Sequence, residues 1–358
     1  MMEENRKRIW QKAKIKEMEL NNRIVRSATN EHLGTLDGLI TDDYIKVYQN
    51  LAESGVGLII TSHMAIDKDQ RADSTHICAN DSRNNDKLKE LTKVVHKYGS
   101  KIIAQISYPG YRQNQIEGQV GKAPSEIGNA KALTKEEIKQ YVENHIKTIE
   151  HLQEVGFDGV QLHMAHGYLL SEFLDPFYNK RTDDYGGNAS NRYRIIHEIL
   201  TEANKTRKSN FVIIAKIDSV SKGEDSDFMN QQIDVCKWLE IDGIDAIEIS
   251  GSNFKKYNQP TPYFLENALK IKSYVNIPII LVGGFRNINQ MENALEKGID
   301  FISMCRPFIA DENFMQKLKD GEESKCISCN KCFEIYRTKH KRCVLRNDII
   351  HQLEINFQ

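Results

Sequence analysis

Three side chains with exchangeable protons lie close together in the chain: His163, His166 and Tyr168. Two imidazoles can donate hydrogen bonds to one substrate oxygen while a phenol delivers a proton. The same histidines also suit a metal, for which imidazole is the commonest ligand. A third reading makes them core residues beside a packing tyrosine. Lys216 closes the apolar run Ile213-Ile214-Ala215, where an unpaired ammonium is costly. It needs either a neighbouring carboxylate such as Asp218 or an anionic ligand. Gln105 ends another apolar run, and its amide both donates and accepts, which fits the edge of a heterocycle. Gly283-Gly284 lets backbone approach a ligand with no Cβ in the way, and Arg306 adds a bidentate cation. Together they read as a phosphate site; separately they read as a tight turn and a surface ion pair. Four of the seven cysteines, Cys326, Cys329, Cys332 and Cys343, cluster late in the chain. Four thiolates suit zinc or an iron–sulfur cluster, or they remain unmetallated.

The elements that must position these groups follow from the hydrophobic pattern. Short apolar runs begin near Ile24, Gly57, Lys101, Gly159, Phe211, Ala246, Ile277 and Phe301. Amphipathic stretches of helical period lie near 42–54, 85–98, 135–155, 190–208, 226–241, 264–275, 289–297 and 311–320. Runs that are apolar throughout suit strands covered on both faces. Their alternation with helices predicts a single α/β domain, a closed (β/α)₈ TIM barrel. Thr134 to Glu137 reads as a capping box that starts a helix. Long connections, about 108–133 and 164–190, follow the third and fourth strands at the barrel face where active sites sit. The expected division is a barrel over 1–320 and a cysteine-containing C-terminal extension over 321–358.

Composition narrows the function. Lys+Arg 49 against Asp+Glu 50 leaves a net charge of -1, which gives no basic surface for nucleic acid. No run of 18 apolar residues is long enough to cross a membrane, and the first twenty residues lack the apolar core of a signal peptide. With clustered rather than distributed cysteines, a reducing cytoplasm is the expected location.

Gly156 through Leu174, continuing into Arg181-Thr182-Asp183-Asp184-Tyr185-Gly186-Gly187 and Asn191-Arg192-Tyr193-Arg194, resembles the old yellow enzyme family of FMN-dependent ene-reductases. Asn22-Arg23-Ile24-Val25, Ala104-Gln105, Val282-Gly283-Gly284 and Ser303 through Pro307 fall in the family's order, so the resemblance covers about residues 10–320. It implies bound FMN, with NAD(P)H as electron donor, and a small molecule with an activated C=C bond as substrate. Ser27, Ala28, Thr29 and Asn30 would lie along the flavin ring, and Ser62 and His63 would flank it. Gln105 would bind the pyrimidine edge, and Lys216 would stand near N1/O2. Gly283, Gly284, Cys305 and Arg306 would hold the phosphate. His163 and His166 would bind the substrate carbonyl, and Tyr168 would be the proton donor. Ala28, Asn30 and Cys305 depart from the residues most frequent there. The cysteine cluster is similar to that of the 2,4-dienoyl-CoA reductase branch, which implies [4Fe–4S], although the gaps differ and zinc fits by ligand type. Only residues 344–358 follow Cys343, so an electron relay through such a cluster would need an outside partner. Other readings are a metal-dependent barrel hydrolase using His163 and His166, a flavoprotein acting on amines, and a non-catalytic electron-transfer module. A homo-oligomer is expected.

Overall fold

In a computed structural model, residues 7–115, 119–223, 225–252, 254–333 and 341–345 are described. The eight apolar runs form β1 (Ile24–Arg26), β2 (Leu58–Ile60), β3 (Lys101–Ser107), β4 (Gly159–Met164), β5 (Val212–Asp218), β6 (Ala246–Ser250), β7 (Ile279–Val282) and β8 (Phe301–Met304). Each pairs in parallel with the next, and β8 pairs with β1, so the sheet closes into a barrel. Closure leaves no free edge and covers both faces of every strand, which is why the runs are apolar rather than alternating.

The helices are α1 (Asp42–Glu53), α2 (Asn85–Lys97), α3 (Lys135–Glu154), α4 (Leu169–Leu174), α5 (Ala189–Thr206), α6 (Phe228–Ile241), α7 (Leu265–Lys272), α8 (Ile288–Glu296), α9 (Arg306–Ala310) and α10 (Phe314–Lys319). The capping box at Thr134 is present: its hydroxyl accepts from the Glu137 N–H, and the Glu137 carboxylate accepts in return. In α1, Tyr44, Tyr48 and Ala52 recur every four residues and are buried toward the strands. Among the described residues, no helix is long and apolar enough to cross a membrane.

Two features depart from expectation. A hairpin, Ala13–Ile15 against Met18–Leu20, precedes the barrel. Its Ile15, Met18 and Leu20 pack with Val25, Leu58, Ile103, Val212 and Phe301 and plug the barrel's lower end. Strands β3, β4 and β5 also run past their apolar runs, to Ser107, Met164 and Asp218. Side chains in a strand alternate in direction. Ile103, Gln105 and Ser107 therefore share a face, as do Ile214, Lys216 and Asp218. Ile103 and Ile214 belong to the inner cluster, so the polar residues above them also project into the barrel.

Candidate active site

Above the apolar plug lies a layer of buried polar side chains. Gln105 Nε2 donates to Gln161 Oε1 at 2.7 Å, and Gln161 Nε2 donates to Glu248 Oε2 at 2.9 Å. Glu248 Oε1 accepts from the hydroxyls of Ser27 at 2.7 Å and Ser303 at 2.6 Å. Lys216 Nζ lies 3.2 Å from Glu248 Oε2 and donates to Ser27 Oγ at 2.9 Å. Burial opposes ionisation of Glu248, but the Lys216 charge and these hydrogen bonds outweigh it and hold the carboxyl below its ordinary range. The partner of Lys216 is thus Glu248 and not Asp218. Register explains this: Lys216 and Glu248 lie side by side on β5 and β6, whereas Asp218 sits two residues further along β5 and accepts from the His166 N–H.

This layer is the floor of a cavity of about 550 Å³ at the C-terminal mouth of the barrel, within the size range of ligand pockets, about 300–1,000 Å³. Ala28, Thr29, Asn30, His63, Gln105, His163, His166, Tyr168, Lys216, Gly283, Gly284, Cys305 and Arg306 all line it. Two expected residues do not. Ser27 lies within the floor layer, engaged with Glu248 and Lys216. Ser62 faces the helix layer: its hydroxyl meets the Tyr44 hydroxyl at 2.8 Å, and its N–H donates to the Tyr48 hydroxyl. Asn30 lines the mouth, but its amide is engaged, donating to Asp73 at 2.9 Å and accepting from the His32 N–H. The Cys305 thiol turns toward the Ser27 and Ala28 carbonyls, so it does not fill the phosphate end.

At that end Gly283 and Gly284 hold φ of 107° and 87°, a region that L side chains rarely adopt. A Cβ on Gly283 would meet the Tyr263 ring at 2.6 Å, and one on Gly284 would overlap the Thr261 carbonyl. Arg306 donates to the Tyr263 hydroxyl and to Asn330 Oδ1, both at 2.9 Å. The tight backbone cradle and guanidinium fit a phosphate, and Gln105 with Lys216 beneath fits the polar edge of a flavin. These residues therefore fit FMN. Gly284→Ala is expected to lower the midpoint of thermal unfolding and to reduce the FMN retained on purification. A variant with wild-type stability and full FMN content would show that this approach is not needed.

At the opposite end stand the imidazoles and the phenol. His163, on β4, packs against Tyr168 with ring centroids 4.3 Å apart, and meets His166 edge-on at 5.4 Å. His166 holds φ of 65°. This turn is fixed by its N–H donating to Asp218 Oδ2 at 2.6 Å, while its Nε2 meets Ser250 Oγ at 2.8 Å. Burial drives the pKa of His163 and His166 well below the ordinary histidine value, and the Lys216 and Arg112 charges push the same way. Both rings are therefore neutral at pH 7. Among the described residues, Nδ1 of His163 is buried with no hydrogen-bond partner, a group that a bound ligand would satisfy. The Tyr168 hydroxyl lies 3.3 Å from Nε2 of His63, whose Nδ1 meets Ser107 Oγ at 3.2 Å. His63 is also held neutral, by burial and the neighbouring His76. It lines the cavity and braces the phenol.

Burial raises the Asp218 carboxyl to about 8. A carboxyl whose folded pKa is raised binds more protons folded than unfolded between about 4 and about 8. It therefore costs increasing stability as pH rises through that window. Asp218→Asn, which can still accept from the His166 N–H, is expected to raise the thermal midpoint more near pH 8 than near pH 5. An equal shift at both pH values would contradict a protonated Asp218.

Among the described residues after 320, the first stretch lies against the barrel. Ser324 N–H donates to the Arg286 carbonyl at 2.9 Å, and Arg286 Nε donates to the Cys326 carbonyl at 2.6 Å. Asn330, Phe333 and Lys341 line the cavity, a contribution not anticipated because nothing in their spacing marks them. Cys326, Cys329, Cys332 and Cys343 are free thiols. Burial pushes Cys332 up to about 11 and raises Cys343. Among the described residues, no group of three or more His, Cys, Asp or Glu is placed to hold a metal ion. The cysteine cluster thus has no assembled ligand set there, and His163 with His166 lacks the third ligand that a hydrolase would need. Residues 334–340 and 346–358 of the expected extension lie outside the described residues.

A model of the NADH:flavin oxidoreductase / NADH oxidase family matches residues 8–325. The chain is 31% identical to an NADPH dehydrogenase of Bacillus subtilis, over 84% of this chain and 90% of that protein. It is also 31% identical to a metal reductase of Desulforamulus reducens, over 98% of this chain but 55% of that protein. A structure of 2-naphthoyl-CoA reductase with 2-naphthoyl-CoA superposes with a TM-score of 0.88 at 22% identity, covering 96% of this chain and 57% of that one. The chain thus spans little more than half the length of the last two. With a cavity that fits FMN and a family match spanning the whole barrel, the chain belongs to the NADH:flavin oxidoreductase / NADH oxidase family of FMN oxidoreductases.

Proposed function

We propose that the protein uses NAD(P)H to reduce activated C=C bonds, those of α,β-unsaturated carbonyl compounds, at the mouth of the barrel. The observation that carries this reading is the neutral, buried His163, with its unpartnered Nδ1, packed against the phenol of Tyr168 on one wall of the FMN-sized cavity. FMN, which Gly283, Gly284 and Arg306 would hold by its phosphate and Gln105 with Lys216 by its polar edge, would supply the hydride chemistry between NAD(P)H and the alkene β-carbon. Lys216, seated on Glu248, presents a fixed cation to the cofactor's polar edge. His163 and His166 hold the substrate carbonyl and polarise it by hydrogen bonding. Tyr168 holds a proton at its phenol oxygen, braced by His63, and delivers it to the α-carbon. The NADPH dehydrogenase relative and the reductase fold neighbour support the same chemistry.

The described residues after 320 act in this reading as part of the cavity rim, supported by Asn330, Phe333 and Lys341 in its lining. We place the reaction in a reducing cytoplasm, in keeping with the seven free cysteines. Turnover of α,β-unsaturated carbonyl compounds, a cyclic enone and an unsaturated acid, in deuterated water tests the assignment. The expected product carries solvent deuterium at the α-carbon and hydrogen from NAD(P)H at the β-carbon. Solvent deuterium at neither carbon, or no reduction by loaded enzyme, would overturn it.

A further inference from the structure

Arg112 lies in the turn after β3 and lines the cavity beside His163, His166 and Tyr168. Its position is fixed from behind. Nε donates to the Gly167 carbonyl at 3.1 Å, Nη2 donates to the His166 carbonyl at 2.6 Å, and the guanidinium lies 5.6 Å from the Tyr168 ring centroid. It is thus tied to the loop that carries the proton donor.

The charge of Arg112 has no counterpart there among the described residues. Among the described residues, no carboxylate comes within 4.0 Å of it. Of the other cations that line the cavity, Lys216 has Glu248 at 3.2 Å, and Arg306 is engaged at the phosphate end by Tyr263 and Asn330. Arg286 donates to the Phe285 and Cys326 carbonyls, and Lys255 and Lys341 line the cavity beside Asn330 and Phe333. Two acidic side chains, Glu172 and Asp218, feel the Arg112 charge without pairing with it. Burial raises the carboxyls of both Glu172 and Asp218, and the Arg112 charge only partly opposes this. Asp218, raised to about 8, holds its proton at pH 7. Glu172 Oε1 is instead an acceptor for the Tyr111 N–H, and Asp218 is the acceptor for His166. The three nearby histidines are uncharged as well. The substrate end of the cavity thus holds a half-buried guanidinium with no ion-pair partner among the described residues, and it gains from an anion that accepts its remaining N–H groups.

We propose that Arg112 is a specificity-determining residue that binds a carboxylate of the substrate, so that the substrate is an α,β-unsaturated acid anion rather than a neutral enone. The inference rests on the ene-reductase reading above. The stoichiometry closes with the donor already named: hydride from NAD(P)H reaches the β-carbon, the Tyr168 proton reaches the α-carbon, and the C=C π bond is lost to give the saturated acid anion. Pairing with Arg112 withdraws charge from the carboxylate, which a free enoate lacks the means to do.

The same positive end could receive a phosphate of the nicotinamide donor, and the test separates the two. Binding of 3-phenylpropanoate and of its neutral amide to FMN-loaded protein is measured by calorimetry, for the wild type and for Arg112→Gln. The rate at which NAD(P)H reduces the bound flavin is measured in parallel. The expected result is a roughly 10–100-fold weaker affinity for the acid, an unchanged affinity for the amide, and unchanged reduction by NAD(P)H. Equal weakening of acid and amide, or a loss confined to the NAD(P)H step, would overturn the assignment. Failure of the ene-reductase reading would look different: neither wild type nor variant would reduce any alkene, whatever its charge. Arg112→Lys, which keeps the cation, is expected to recover part of the acid affinity and guards against a folding defect.

Discussion

Tyr168→Phe is expected to slow reduction of the alkene by roughly 10²–10⁴-fold, the usual contribution of a positioned general acid. Reduction of the flavin by NAD(P)H should be unchanged. The phenol lies 3.3 Å from His63 Nε2 and packs 4.3 Å from His163, so loss of one oxygen leaves a ring of nearly the same shape in the same place. The effect should therefore fall on the proton-transfer step and not on folding or FMN content. Rapid mixing of reduced enzyme with substrate separates the two half-reactions. A variant that slows both equally would indicate a structural role, and one that slows neither would place the proton donor elsewhere.

Glu248→Ala is expected to cost about 3–5 kcal/mol of stability, the range for removing one partner of a buried ion pair. The carboxylate is fully buried and is the common acceptor for Ser27, Ser303, Gln161 and Lys216. Its loss strands an ammonium and three donors in the middle of the barrel. Because the folded carboxyl is held below its ordinary range, its contribution is complete above the unfolded value of about 4.3. It is lost only as pH falls through the lower folded value. Urea titration near pH 7 measures the difference. A loss below about 1 kcal/mol, typical of an exposed pair, would show that Lys216 does not depend on this partner.

Much of the barrel was legible because its strands are buried on both faces. Runs such as Phe211-Val212-Ile213-Ile214 leave no polar position to confuse the pattern. The site was legible where chemistry is costly to bury: His163, Lys216 and Gly283-Gly284 stand out because packing alone does not favour them. What was missed follows from reading strand ends where the apolar run stops. Gln105 and Lys216 looked like terminal residues, but β3 and β5 continue beyond them. The inward alternation Ala246-x-Glu248-x-Ser250 was the available signal for the partner of Lys216. Ser27 and Ser62 were misplaced for a related reason. A residue near a strand end can face the mouth, the floor or the helix layer, and one step along the strand changes which. Arg112 and Lys341 lie on segments of no regular period, and only the folded chain brings them to the cavity.

The central claim is that the mouth of the barrel carries FMN between the Gly283-Gly284 and Arg306 end and the Tyr168 wall. It is tested most directly by the visible spectrum of the purified protein, before and after anaerobic NAD(P)H and then after an unsaturated acid. The account predicts flavin bands at one FMN per chain, bleached by NAD(P)H and restored by the acid without oxygen. A protein that neither carries FMN nor takes it up on reconstitution would contradict it.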